Sequence, residues 1–296
     1  MTALAPIPTT DAIIQLALDS VHSEASRRAY KRAITAFLAF ARPQGAAFDR
    51  ALVRAYVAHL EASGKSASTC NQQLAAIRAL AREARYAGLI GKEAEEGIRE
   101  IHSTPIRGQK TGVWLDKAQI LELLAAPDQK TQRGRRDFVM CALLVGCGLR
   151  RAEAVGITCD QVRMLDGVLC LCDLEGKGGR VRTVPMPRFC WQAVQGWIAE
   201  VGGTGPLLRS FTKAATLNGA MDDSSVFWIL QGYAKLLGFE KLAPHDCRRS
   251  WAHACLKGGG TLSEIQKVLG HSSLQTTQRY FTSGIDLENP VCEKLL

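Results

Sequence analysis

Four separated stretches in the second half of the chain carry polar groups of unusual type and spacing. In "GLRRAE", Arg150 follows a glycine break and stands three residues before Glu153, so the two can share a helical face. In "EGKGGR", Lys177 sits at the tip of a turn between glycines, where it can move and reach. In "PHDCRRS", His245 and Arg248 are three apart at a helix start and point the same way. Two cationic groups at the positive end of a helix repel unless an anion, such as a phosphate, lies between them. In "LGHSSLQTTQRYF", His271 follows a helix-ending glycine, and Tyr280 lies about 100° around the next helix from the apolar Phe281. Such a set offers planar donors for an anion, groups that move protons, and one hydroxyl. A phenol ionises near pH 10, so it needs a base or charge support to act as a nucleophile. Each stretch alone has a plainer reading: an ion pair, a solvated turn lysine, surface charge, and a packed aromatic or recognition-helix contact.

These groups need elements to hold them. Arg150 lies within the apolar, helical stretch "RRDFVMCALLVGCGLRRAEAVGI", which Gly146 and Gly148 are expected to interrupt. Lys177 belongs to "DGVLCLCDLEGKGGRVRTVPM", which reads as two strands joined by a glycine-rich turn. "WLDKAQILELLAAP" reads as a helix capped by Asp116 and stopped at Pro127. "DDSSVFWILQGYAKLLG" is expected to turn Val226, Ile229, Tyr233 and Leu236 inward and to end at Gly238. "HDCRRSWAHACLKGGG" is another helix, and "TLSEIQKVLG" carries a capping box, Thr261 with Glu264, and a glycine stop at Gly270. The first 105 or so residues read as four short helices without strands. One places Tyr30, Ile34, Phe37 and Ala41 on one face, with Ser26 as its N-cap; another runs from about Asp49 to Ala62; a third, about Ala67 to Tyr86, buries Leu74, Ile77 and Leu80. Arg78, Arg82 and Arg85 can line one side of the third, as a binding surface or a solvated face. Residues 91–112 are expected to form a linker with a short helix inside it, and the boundary falls near Gly108.

The totals fit a chain of about two domains. It has 296 residues, 47% of them hydrophobic and 22% charged, and the net charge of +9 makes a polyanion the first candidate partner. No apolar run approaches the roughly 18–20 residues of a membrane span, and the N-terminus does not read as a secretory signal. The ten cysteines show no CxxC spacing and mostly fall in apolar segments, so they are expected to be buried thiols in a reducing cytoplasm rather than metal ligands.

In the order Arg, Lys, His-x-x-Arg, His, Tyr, the motifs "GLRRAE", "GKGGRVRTVP", "HDCRRSWAH" and "LGHSSLQTTQRY" resemble those of the tyrosine recombinase (phage integrase) family. "SEASRRAYKRAITAFLAF" is a weaker match to that family's core-binding domain. The resemblance implies a mainly α fold: an N-terminal helical core-binding bundle over residues 1–107, then a mostly helical catalytic domain over 108–296 with a small antiparallel β-hairpin or sheet. It implies catalytic roles for Arg150, Lys177, His245, Arg248, His271 and Tyr280, the last as nucleophile. One departure is Ala152, where the family usually has serine. The implied reaction cleaves and rejoins duplex DNA through a 3′-phosphotyrosine, which stores the bond energy, so neither ATP nor a metal is expected. There is no P-loop and no carboxylate cluster to suggest otherwise.

The implied partners are double-stranded DNA, other copies of the chain in a tetrameric synapse on two sites, and an accessory DNA-bending protein; no membrane is expected. No extra arm-binding domain is expected before Thr10. The tail "SGIDLENPVCEKLL" carries Ile285, Leu287, Val291 and Leu295, and docking on a neighbouring protomer, packing in cis and fraying all stay open. Two rival functions remain: a type IB topoisomerase with the same chemistry, and a helix–turn–helix regulator in which Tyr280 contacts a base.

Overall fold

The computed structural model describes residues 9–21, 23–106, 114–176 and 179–270. The chain falls into two compact units, Met1–Gln109 and Lys110–Leu296.

The first unit is a helical bundle: α1 (Thr10–Asp19), α2 (Glu24–Ala41), α3 (Arg50–Ala62), α4 (Ala67–Tyr86) and α5 (Lys92–Arg99). Its centre is α4, whose Cys70, Leu74, Ile77, Leu80 and Ala84 are buried against Ile34 and Phe37 of α2 and Tyr56 of α3. Phe37 and Tyr56 meet edge to face, ring centres 5.3 Å apart. Ser26 does not cap α2: Ser23 does, accepting the Ser26 N–H at 3.1 Å, so the helix starts about one turn early. The expected linker is folded for most of its length. Ile98 and Ile101 enter the bundle core, and Asn71 of α4 grips Thr104 through its N–H at 2.7 Å and its carbonyl at 2.9 Å. Two of the three arginines on α4 serve this attachment. Arg78 donates to the Ile101 carbonyl and Arg85 pairs with Glu95 at 3.1 Å, while Arg82 is exposed.

The second unit holds α6 (Lys117–Ala125), α7 (Gln132–Cys147), α8 (Arg151–Gly156), β1 (Val162–Leu165), β2 (Val168–Glu175), β3 (Val181–Pro185), α9 (Arg188–Glu200), β4 (Arg209–Phe211), β5 (Leu217–Ala220), α10 (Asp223–Leu236), α11 (Pro244–Lys257) and α12 (Leu262–Leu269). The fold is mostly helical with small antiparallel sheets: β1, β2 and β3 in that order, and β4 paired with β5. The core is built round α7, buried continuously from Val139 to Cys147, as a helix apolar on all sides must be. Gly146 does not interrupt it. A Cβ there would lie 2.9 Å from the Phe189 ring and 3.4 Å from Cys190, so the glycine lets α9 approach closely. On α10 the inward stripe is Val226, Leu230 and Ala234, and Leu236 points out with 76% of its surface exposed. The inward stripe keeps to i, i+4, i+8, and Leu236 lies outside it. Strands β1, β4 and β5 and helix α9 are not among the elements expected from the sequence, although Cys190, Val194 and Trp197 mark one helical face of α9. All nine described cysteines are free, and all but Cys255 are buried.

Candidate active site

Arg150 owes its place to a tight turn. Helix α7 stops at Gly148, which adopts the left-handed conformation at φ 58°, and two residues later Arg150 is the N-cap of α8. The turn is pressed onto α11: a Cβ at position 148 would lie 2.8 Å from the Trp251 ring, and the Gly148 carbonyl accepts from Arg248 Nη1 at 2.6 Å. Gly148→Ala is therefore expected to destabilise the second unit severely. The left-handed backbone costs an L-residue about 1–2 kcal/mol, and overpacking against the indole adds about 1–3 kcal/mol. A urea midpoint equal to that of the parent chain would contradict this.

Glu153 is the hub of the site. Its side chain is 5% exposed and accepts the Arg150 main-chain N–H at 2.8 Å, Arg150 Nη1 at 2.7 Å, and Arg182 Nη1 and Nη2 at 3.0 and 2.8 Å. Arg248 Nη1 lies 3.8 Å from Glu153 Oε2. Burial alone pushes this carboxyl up, but the Arg182 hydrogen bonds, the Arg150 N–H and the neighbouring charges outweigh it and bring the pKa to about 2. A carboxylate depressed in the folded state stabilises the fold above its unfolded pKa, and that contribution fades as pH falls toward the folded value. A drop from 4.5 to about 2 corresponds to about 3 kcal/mol. The stability difference between the parent chain and Glu153→Gln should thus be full above pH 5 and shrink steadily toward pH 2. Chemical denaturation across that range checks it; a difference independent of pH would mean that Glu153 is not ionised in the fold.

Helix α11 supplies the other described members. Pro244 opens it, and Asp246 accepts the Ala243 N–H at 2.8 Å, which sets the direction of the first turn. Arg248 is fully buried; besides Gly148, its guanidinium holds the Leu269 carbonyl at the end of α12, at 2.6 Å. His245 has a solvent-facing edge, yet burial of its other side, with Arg249, Arg248 and Arg150 nearby, outweighs Asp246 and moves its pKa below the ordinary histidine value. This favours the uncharged imidazole, which can accept a proton or donate a hydrogen bond.

Arg150, His245 and Arg248 line one cleft of about 400 Å³, together with Phe227 and the Arg151–Asp223 pair, whose charged atoms are 3.0 Å apart. The structure thus brings together three of the six residues singled out in the sequence. Lys177, His271 and Tyr280 lie outside the described residues, as does the C-terminal tail. Of the glycine-rich stretch around Lys177, Gly176 N–H donates to the Arg180 carbonyl at 2.7 Å. Gly270, next to His271, ends α12 in the left-handed conformation at φ 64°, as the glycine stop predicts.

Arg182 was missed. It lies inside "GKGGRVRTVP", and a period of two places it on the same face of β3 as the buried Val184. An arginine on the inner face of a strand needs an anionic partner, and that was the available signal. Among the described residues, no group of three or more His, Cys, Asp or Glu is placed to hold a metal ion, and no helix is long and apolar enough to cross a membrane.

Residues 113–284 match the Phage integrase family, and residues 13–88 match the Phage integrase, N-terminal SAM-like domain. A tyrosine recombinase XerC of Pelobacter propionicus is 31% identical over 250 residues, covering 83% of this chain and 78% of that protein. A tyrosine recombinase of Synechococcus elongatus is 27% identical over 312 residues, covering 99% and 95%. Among solved structures, the Tn1549 transposon integrase in complex with circular intermediate DNA superposes with a TM-score of 0.68 at 17% identity, over 90% of this chain and 94% of the other. A lambda integrase dimer bound to a COC′ core site gives 0.67 at 15% identity, over 92% and 75%. The structural likenesses speak for the fold; the family matches and the relatives carry the rest, and by them the chain belongs to the phage integrase family of tyrosine recombinases, which are DNA strand-transferases.

Proposed function

We propose that the chain is a site-specific recombinase in which Tyr280 attacks a DNA phosphodiester. Its phenolic oxygen bonds to phosphorus, the bond to the 5′ oxygen breaks, and a 3′-phosphotyrosine and a free 5′ hydroxyl result. That hydroxyl, or one from a partner strand, attacks back and releases the tyrosine. The observation that carries this reading is the single cleft lined by Arg150, His245 and Arg248, with Glu153 touching both arginines.

The chemistry assigns the roles. Negative charge grows on the nonbridging oxygens as the pentacovalent state forms, and Arg150 and Arg248 present planar guanidinium donors to them. His245 and His271 donate to the phosphate and carry the proton leaving Tyr280. Lys177 protonates the departing 5′ oxygen. Residues 108–296 form the catalytic domain, and residues 1–107 form a DNA-holding domain that grips duplex chiefly through phosphates. Exchange of partners needs four protomers on two sites, and an accessory DNA-bending protein is a further candidate partner.

Capturing the DNA covalently bound in cells and sequencing it would supply the target site. Two copies on one plasmid should then exchange flanks when the purified chain is added. Relaxation of any plasmid without exchange would identify a topoisomerase, and a footprint with no adduct would identify a regulator. With about six to ten phosphate contacts, affinity should drop by roughly 10³–10⁵ between 50 and 200 mM salt.

A further inference from the structure

Arg182 lies on β3, outside the six residues assigned to the chemistry, yet its guanidinium ties three elements. Nη1 and Nη2 donate to the two oxygens of Glu153 at 3.0 and 2.8 Å, and Nε donates to the Val268 carbonyl of α12 at 2.7 Å. The side chain is only 10% exposed. Its stem also abuts the end of α12, where a Cβ at Gly270 would lie 3.0 Å from Arg182 Cδ.

The consequence runs through the carboxylate. The terminal torsion of a glutamate is broad and two-fold, so a glutamate does not by itself fix the plane of its oxygens. A guanidinium fork bonded to both oxygens removes that freedom. Arg182 is such a fork, and it is anchored to α12 by its third donor. The carboxylate it holds is the one that grips Arg150 by main chain and side chain, at 2.8 and 2.7 Å. Of the two arginines read as the phosphate clamp, Arg150 is the more open, with 31% of its side chain exposed against none for Arg248, so its aim depends more on that grip.

We infer that Arg182 is a positioning residue for strand cleavage: it locks the Glu153 carboxylate and so sets the direction in which Arg150 offers its remaining donors to the scissile phosphate. The inference rests on the reading of Arg150 as part of the phosphate clamp. A purely structural pin, or a route through the Lys177 turn, would show different behaviour.

Arg182→Met, Arg182→Lys, Glu153→Gln and the Arg182→Met/Glu153→Gln double variant are compared with Arg150→Ala and Lys177→Ala. The assay is single-turnover cleavage of a suicide duplex carrying the captured site, at saturating protein, with oxygen or sulfur at the bridging 5′ position. A reactive group displaced by about 1 Å can cost about 10²-fold in rate, and a loss of that size is expected for Arg182→Met. Arg182→Lys, which keeps the charge without the fork, should fall between Arg182→Met and the parent. DNA affinity should be unchanged, the double variant should be no slower than the slower single one, and sulfur should restore none of them.

Parent-like cleavage, a loss confined to DNA binding, additive losses in the double variant, or rescue by sulfur as for Lys177→Ala would each overturn the inference. If Arg182→Met does not fold by circular dichroism, Arg182→Lys carries the same test: a slower rate supports the inference and a parent-like rate overturns it. Parent-like cleavage by Arg150→Ala would sink the clamp reading and the inference with it. A slow Arg150→Ala beside a parent-like Arg182→Lys would sink the inference alone.

Discussion

Tyr280→Phe is expected to abolish covalent attachment to DNA while leaving binding nearly intact. The substitution deletes one oxygen and keeps the ring, so packing and phosphate contacts survive and only the new bond to phosphorus is lost. Removing a catalytic nucleophile can cost on the order of 10⁶ in rate. The measurement pairs a binding isotherm with a denaturing gel of the labelled suicide duplex. A heat- and detergent-stable adduct formed by the variant would show that Tyr280 is not the nucleophile, and Thr276 and Thr277 would be examined next.

The second large effect concerns Lys177. An alkoxide is strongly basic and needs a proton as it leaves, whereas a thiolate, whose conjugate acid has a pKa near 8.5, departs without one. Lys177→Ala should therefore cleave ordinary DNA slower by about 10²–10⁴, the usual contribution of a positioned general acid. The same variant should cleave DNA with bridging 5′ sulfur at close to the parent rate. Arg150→Ala should gain nothing from sulfur, because its guanidinium serves the nonbridging oxygens. If sulfur rescues neither variant, or both equally, Lys177 only binds the backbone beside the scissile bond.

Much of the local structure was legible because it depends on neighbours in sequence. The cap at Asp116, the capping box of Thr261 with Glu264, and the glycine stops at 148 and 270 follow from the helix-end geometry of a few consecutive residues. The failures have the opposite character. Gly146 resembles an interruption until α9 lies against it, Leu236 resembles core until the packing face of α10 is known, and Ser26 resembles a cap although Ser23 offers the same hydroxyl one turn earlier. The segment after Gly91 resembles a linker with a short helix inside it because its composition is polar, yet two buried isoleucines and the Asn71–Thr104 pair hold it to the bundle.

The candidate site divides in the same way. Sequence by itself determined which reactive groups the chain has and their order, because type and spacing along the chain are local properties, and that order sufficed to name the family. Only the tertiary structure decided how Arg150 and Arg248 are held. Glu153 lies three residues from Arg150 but 29 from Arg182, and the Leu269 carbonyl that occupies Arg248 belongs to a different helix. Against burial, which raises it, the Glu153 pKa is held down by Arg182 brought in from β3 together with its near neighbour Arg150, and the His245 pKa is lowered by burial, by its helix neighbours Arg249 and Arg248, and by Arg150 from the start of α8. Electrostatic energies depend on distance and on exclusion of water, and neither exists until the chain has folded.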